Sequence, residues 1–308
     1  MIFIDKSIRE ADGKAINIRF LKSIFDVTTL KFAIPLDKSA YEKYVREFPE
    51  KDDWRKLLCE EQNYLCCYCM RHLAPDSASG FTAEHIIPQS LRGAADRSEF
   101  QRYVTGPIYA ANIASGVDYA EDIETRRFSS INDLDTLTKM PHVIAYHNLL
   151  AACKGIRGTN TDGCCCNHER GRDFLIPYML IPDGYMRFRY DVNGIVSINP
   201  TDATWQTILT VLNNETLQTI RHIWYMIARN TKYEERHFSY DTSELQRMQI
   251  LKSAFKKDNY MKIPDSIKAY GGKIMGKGNE FAWKLLVDYS WFLGYYRSSS
   301  NPPYTPEK

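Results

Sequence analysis

The sequence predicts an α+β fold, mostly helical, with a metal-stapled core between helical N-terminal and C-terminal extensions and one β-hairpin. Three observations predict it. Seven of the eight cysteines fall in three short clusters: Cys66, Cys67 and Cys69; Cys153; and Cys164, Cys165 and Cys166. Apolar residues recur at helical spacing before the first cluster and again after Pro200. Asn193-Gly194 separates two short β-rich runs, a hairpin signal because both residues tolerate positive φ.

At 308 residues the chain can bury one large core or two modest ones, and its 44% hydrophobic and 25% charged content is that of an ordinary globular protein. The formal net charge of +2 argues against a general nucleic-acid coat. Residues 1–170 carry 22 Lys and Arg against 24 Asp and Glu, and residues 171–308 carry 18 against 14. Any grip on a polyanion must therefore come from local patches or from a partner. No signal-peptide pattern follows Met1, and no 18 apolar residues run without a charge, so a cytoplasmic location and no membrane span are expected. Thiols stay reduced there, and disulfides between adjacent cysteines are strained. The clustering therefore reads as metal binding.

In chain order, residues 1–64 form a lead-in that begins strand-like around Ile16–Leu21 and becomes helical in two pieces. Tyr41, Tyr44, Val45 and Phe48 mark the first piece; Trp54, Leu57, Leu58 and Tyr64 mark the second, after a break at Pro49, with Asp52 and Asp53 as caps. Residues 65–175 form the core. Leu65–Leu73 is a tight knuckle, Phe81–Ile87 a strand before Pro88, and Val143–Ala152 a returning strand or turn. An insertion at 91–141 carries one or two helices, a basic stripe of Arg92, Arg97 and Arg102, and acidic pieces around 117–125. Lys154–Gly163 is a loop, and Cys166–Asp173 begins a helix or short turn. Residues 176–300 hold the hairpin (Tyr185–Tyr190 and Gly194–Ile198) and then helices. Trp205, Ile208, Leu209 and Leu212 mark one; Leu217, Ile220, Trp224 and Ile227 continue the stripe, with Asn213-Asn214 as a point of interruption. Asp241-Thr-Ser-Glu244 resembles a capping box before Leu245, Met248, Leu251 and Phe255. Phe281, Leu285, Tyr289 and Phe292 share a face of a last helix, and 301–308 is a Pro-rich tail.

Two cysteines separated by two residues bind one metal ion because the turn between them aims both sulfurs inward. Cys66 and Cys69 fit this, with Cys153 and one of Cys164, Cys165 and Cys166 completing a four-thiolate structural zinc site. Cys59 and Cys67 read as core residues. Phosphodiester hydrolysis requires an activated water, a cation at the leaving oxygen and alignment of the scissile bond. A histidine such as His85 suits the first role and an oxygen ligand such as Glu84 the second. Adjacent residues on a strand point to opposite faces, so a twist or bulge before Pro88 is needed to bring both to one site.

In this order, Glu84-His85 with Pro88, then Asn148-Leu149-Leu150, then Cys166-Asn167-His168-Glu169-Arg170-Gly171, resemble the motif of the HNH endonucleases. The resemblance extends to the PtuB-like proteins of Septu and retron-linked anti-phage defence. It rests on Gln62-x-x-x-Cys66-Cys-Tyr-Cys69, the Asn193-Gly194 hairpin and Leu212-Asn213-x-x-x-Leu217-x-x-x-Arg221. It covers roughly residues 40–230. It departs from the HNH pattern in ending on Asn rather than His, in Arg170 where Lys is expected, and in the long insertion. The resemblance implies a ββα-metal core in which His85 is the general base, Glu84 and Asn167 hold a catalytic Mg²⁺ or Mn²⁺, and Asn148 orients the His85 loop. His168 competes with Asn167 as a ligand. It favours Cys166 as the fourth zinc ligand, since Asn167 then follows directly. It further implies a defence effector cutting DNA or tRNA, a PtuA-like ATPase partner, and a retron reverse transcriptase with its msDNA. The rival reading is a zinc-stabilised nucleic-acid-binding or scaffold subunit without catalysis; a redox sensor built on Cys164–Cys166 ranks third. Lys154, Arg157, Arg170 and Arg172 flank the site and can hold phosphates. His72, His142 and His147 read as packing or surface histidines, and His222 and His237 take no role.

Overall fold

The first helix, α1 (Glu10–Ser23), occupies the stretch that reads locally as a strand. Ile16, Asn17, Phe20, Leu21 and Ile24 are all buried, a spacing that only a helix brings to one face. The alternation within Ile16–Leu21 is too short to reveal that period. Gly13 sits where α1 crosses Tyr146, and a Cβ there would lie 2.2 Å from the tyrosine ring. The computed structural model describes residues 3–73, 81–105, 113–153, 166, 178–181, 184–198, 203–229, 232–239, 241–257 and 279–298. Mixed α and β elements make up this α+β fold, about half helical, and the strands among the described residues are short.

Helix α2 (Lys38–Arg46) starts at Asp37, whose carboxylate accepts from the Ser39 amide at 2.7 Å. Pro49 separates it from α3 (Lys51–Glu61). The residue preceding α3 is Glu50. Asp52 and Asp53 lie inside the first turn, where they complement the helix dipole instead of capping it. Tyr44 stacks on Trp54 with ring centroids 5.2 Å apart and meets Phe20 at 4.8 Å, locking α1, α2 and α3 together.

Strand β1 (Phe25–Asp26) pairs with β2 (Lys31–Phe32). Strand β3 (Phe81–His85) pairs antiparallel with β6 (Leu149–Cys153), so that Phe81 faces Cys153 and His85 faces Leu149. Between them the insertion carries α4 (Gly93–Thr105), α5 (Ala120–Glu124) and the parallel pair β4 (Val117–Asp118) and β5 (Met140–Pro141). Its basic stripe and its acidic piece are partners. Arg97 makes two bonds to Asp122, at 2.9 and 2.5 Å, and Arg92 lies 3.2 Å from both Asp37 and Glu124. His142 is fully buried under α5, accepts from the Ala120 amide at 3.2 Å and stacks on Tyr119. Burial, and then the neighbouring His85, push its pKa down to about 3, so the ring is neutral.

In the second half, β7 (Phe188–Tyr190) and β8 (Val196–Ile198) form the hairpin. Its first strand is shorter than expected, because Gly184–Arg187 is a 3₁₀ turn. Helices α6 (Ala203–Leu212) and α7 (Glu215–Ala228) are interrupted at Asn213-Asn214 as the sequence suggests. Asn214 caps α7, and the Asn213 amide pairs with both backbone groups of Val196, at 2.7 and 2.9 Å. Arg221, 1% exposed, donates to the Gly194 and Leu212 carbonyls at 2.8 and 2.6 Å. Gly194 has φ +77°, and a Cβ there would lie 2.2 Å from the Gln218 carbonyl.

Helix α8 (Glu244–Lys257) starts later than the Asp241 box implies: Ser243 Oγ accepts from the Gln246 amide at 3.3 Å. Leu245 is 65% exposed and leaves the apolar stripe, whereas Met248 and Leu251 are buried. The expected single last helix is two, α9 (Asn279–Val287) and α10 (Phe292–Arg297), broken by a turn at 288–291. Buried residues from Ile4 to Leu293 form one hydrophobic core. Among the described residues no helix is long and apolar enough to cross a membrane.

Gly194→Ala should lower stability by about 1–3 kcal/mol, through strain and the clash with Gln218, and this is read from the urea midpoint. An unchanged midpoint would contradict the tight hairpin–α7 contact. For His142, the unfolded ring takes up a proton near 6.5 and the folded ring only near 3. Its contribution is therefore intact above pH 6.5 and is lost as the pH falls towards 3. His142→Gln should flatten the fall in urea midpoint across that window.

A candidate metal centre beside a buried histidine

The knuckle follows α3 through residues that the backbone bends sharply. Asn63, Tyr64 and Met70 have φ of 50°, 57° and 63°. The Met70 amide donates to the Cys66 carbonyl at 3.0 Å and the Cys66 amide to the Arg71 carbonyl at 2.8 Å. That closure turns both sulfurs to one side. Gln62, buried at the end of α3, fastens the knuckle to β6. Its amide nitrogen donates to the Leu65 and Ala151 carbonyls at 2.9 and 2.8 Å, and its oxygen accepts from the Ala151 amide at 2.8 Å. The Cys67 amide adds a bond to the Ala151 carbonyl at 3.0 Å.

Cys66, Cys69, Cys153 and Cys166 thereby come together, all buried, with sulfurs within 4.8 Å of one another. Cys69 and Cys153 are 3.6 Å apart, Cys153 and Cys166 3.5 Å, and Cys66 and Cys166 3.8 Å. A disulfide needs about 2.05 Å. Four sulfurs at about 2.3 Å from a zinc ion stand about 3.8 Å apart, so the set fits tetrahedral zinc. Donors address the sulfurs: the Cys153 amide reaches Cys66 at 3.2 Å and the Tyr289 hydroxyl reaches Cys69 at 3.1 Å. Burial opposes the Cys66 thiolate, but hydrogen bonds from Cys153, Cys166 and Cys67 outweigh it and bring its pKa down to about 5. Burial pushes Cys59 up to about 12 and raises Cys67 strongly, as suits two core thiols. The four cysteines can hold a metal ion such as zinc. Cys166 is the member of its cluster found there; Cys164 and Cys165 lie outside the described residues.

The C-terminal turn braces the knuckle from the other side. Arg71 pairs with Asp288 at 2.8 Å, the His72 amide donates to the Asp288 carbonyl at 2.9 Å, and the Trp291 indole donates to the Met70 carbonyl at 2.9 Å. This brace explains why the last helix breaks at 288–291.

From Cys153 the ladder leads back to His85. The His85 Nε2 lies 2.9 Å from the Val143 carbonyl. A carbonyl only accepts, so Nε2 carries the hydrogen and Nδ1 is the basic nitrogen. Tyr41 meets the ring edge-on at 4.5 Å. Asn148, fully buried, holds the chain that follows. Its Nδ2 donates to the Ile87 and His142 carbonyls at 2.9 and 2.7 Å, and its Oδ1 accepts from the Ile87 amide at 2.6 Å. Glu84 is 3% exposed and accepts from the Tyr68 hydroxyl at 2.9 Å. Of the twist or bulge that would bring both side chains to one site, the bulge is absent from the ladder, which pairs Glu84 with Leu150 and His85 with Leu149 in regular register. Tyr41 packs on His85, and its hydroxyl pKa is raised by burial and then by the Glu84 charge. Asn167, His168, Lys154, Arg157, Arg170 and Arg172 lie outside the described residues, as does the helix or turn expected after Cys166.

Sequence reasoning missed a buried ion pair. Lys6 bonds to Glu61, which also accepts from the Tyr146 hydroxyl, and Lys6 donates to the Leu149 carbonyl at 2.7 Å, opposite His85. Burial lowers the Lys6 pKa and raises that of Glu61, each against the pull of its partner. His72 and His147 are packing residues, as expected; burial pushes each down to about 4.

After zinc loading, Cys153→Ser should hold less zinc than the wild type and have a lower thermal midpoint, measured by metal analysis and calorimetry. Tyr289→Phe should keep the zinc but weaken its hold about 10–100-fold, the usual effect of losing a ligand's hydrogen-bond partner. Competition with a chromophoric chelator reads this; an unchanged affinity would deny Tyr289 a role at the thiolates.

No protein-family model, no curated protein and no solved structure matches this chain significantly.

Proposed function

We propose that this chain is a metal-dependent HNH-type endonuclease, a hydrolase of nucleic-acid phosphodiesters. The observation that supports the reading is the clamp of Asn148 on Ile87 and His142, together with the His85–Val143 bond that puts the hydrogen of a neutral ring on Nε2. A histidine held in one tautomer and one orientation, one strand-length from a four-thiol cluster, supports general-base chemistry better than it supports packing alone.

In this reading His85 takes a proton from water through Nδ1 as the water oxygen attacks phosphorus, and the bond to the 3′ oxygen breaks. Asn148 orients the His85 loop without touching substrate. Glu84, with Asn167 or His168, would hold the catalytic Mg²⁺ or Mn²⁺. Such a cation supplies charge stabilisation at the departing oxygen. Zinc at the four cysteines would be structural, holding the strand pair and the knuckle together.

The low net charge fits a nuclease that borrows its grip from a partner. The internal pairing of Arg92 and Arg97 with acidic residues supports the same view, since those cations are engaged within the chain. The defence role, a PtuA-like ATPase partner and a retron complex with its msDNA extend the proposal on the motif resemblance.

His85→Ala should lose about 10²–10⁴-fold in cleavage of DNA or tRNA, assayed with and without the ATPase, while keeping its zinc and thermal midpoint. Equal cleavage by mutant and wild type would remove the mechanism. Nucleic-acid binding that survives both His85→Ala and Glu84→Gln, with no cleavage by any variant, would favour a non-catalytic scaffold.

A further inference from the structure

The knuckle and the proposed reactive carboxylate touch through one side chain. Tyr68 lies between Cys67 and the cluster cysteine Cys69, is 2% exposed, and donates its hydroxyl hydrogen to Glu84 Oε1 at 2.9 Å. Its backbone has little freedom. The Tyr178 hydroxyl bonds the carbonyls of both Cys67 and Tyr68, at 2.8 and 3.0 Å. The Cys67 amide is bonded to Ala151, the neighbour of the Leu150 that faces Glu84 across the ladder. Cys66 and Cys69 bracket the segment in the four-sulfur cluster.

We propose that Tyr68 is a positioning residue that makes divalent-cation binding at Glu84 depend on the thiolate site. The inference rests on the nuclease reading of Glu84. A hydrogen bond from a fixed phenol to one oxygen of a buried carboxylate restricts how that carboxylate can turn. Outer hydrogen-bond partners of this kind orient metal ligands, and their loss costs about 10–100-fold in affinity. Tyr68 itself is placed by the knuckle, so whatever loosens the four sulfurs also releases Glu84. The two metal centres would then act in series, with the structural ion setting the affinity of the reactive one.

The test uses the zinc-loaded 308-residue chain and Mn²⁺ as the probe, followed by the electron paramagnetic resonance signal of the free and bound ion. Tyr68→Phe should retain its zinc and its thermal midpoint, keep the charge-transfer spectrum of the cobalt-substituted thiolate site, and bind Mn²⁺ about 10–100-fold more weakly. Glu84→Gln should abolish that binding. Wild-type affinity in Tyr68→Phe, with none in Glu84→Gln, overturns the coupling and leaves the nuclease reading standing. Mn²⁺ binding that is absent, or indifferent to Glu84→Gln, overturns both. Should Tyr68→Phe lose zinc, 3-fluorotyrosine at position 68 keeps the shape and changes the acidity of the hydroxyl. It must then shift Mn²⁺ affinity, and an unchanged affinity overturns the coupling.

Discussion

Four thiols drawn from three separate parts of the chain are buried within 4.8 Å of one another. Neutral thiols gain little from such crowding, and thiolates repel one another unless a cation sits among them. The amide of Cys153 and the hydroxyl of Tyr289 both aim hydrogens at the sulfurs, an arrangement that suits negative charge. The rest of the molecule is anchored here. Cys153 ends β6, Cys66 and Cys69 end the lead-in from α3, and the turn at 288–291 rests on the knuckle. A single ion would thus join the N-terminal helices, the central strand pair and the C-terminal helices.

A second layer of polar clamps transmits that order away from the cysteines. Gln62 copies a strand edge against β6, Asn148 does the same for the chain after His85, and Asn213 does it for β8. Each side-chain amide meets both a backbone N–H and a C=O, so backbone groups that the short strands leave unpaired are satisfied where water is excluded. Lys6 extends the pattern by reaching the Leu149 carbonyl, fastening the N-terminal segment to the residue facing His85. Strands of three to five residues are weak alone. These amides are what make them rigid enough to hold a side chain in one place.

Much of this was legible because some constraints are local. A Cys-x-x-Cys turn carries its geometry in four residues, so Cys66 and Cys69 were readable, and Cys153 and Cys166 followed from clustering and motif order. The break at Pro49 and the Asn213-Asn214 interruption are also short-range effects. What depends on distant contacts was not legible. Helix α1 looked like a strand because Asn17 and Gly13, polar or small, hide the helical face; Asn17 is buried only because Tyr44, Ile144 and Tyr146 satisfy it. The Lys6–Glu61 pair and the break after Val287 have no periodic signature, since each exists for a partner tens or hundreds of residues away. Tyr68 was visible as a letter in the motif, but its hydroxyl contact with Glu84 was not.

The most direct measurement of the central claim is the X-ray absorption edge and fine structure of zinc in the purified chain. Four sulfur neighbours at about 2.3 Å, one zinc per chain, is the predicted result. A first shell containing nitrogen or oxygen, or a folded protein that carries no zinc, would contradict the account.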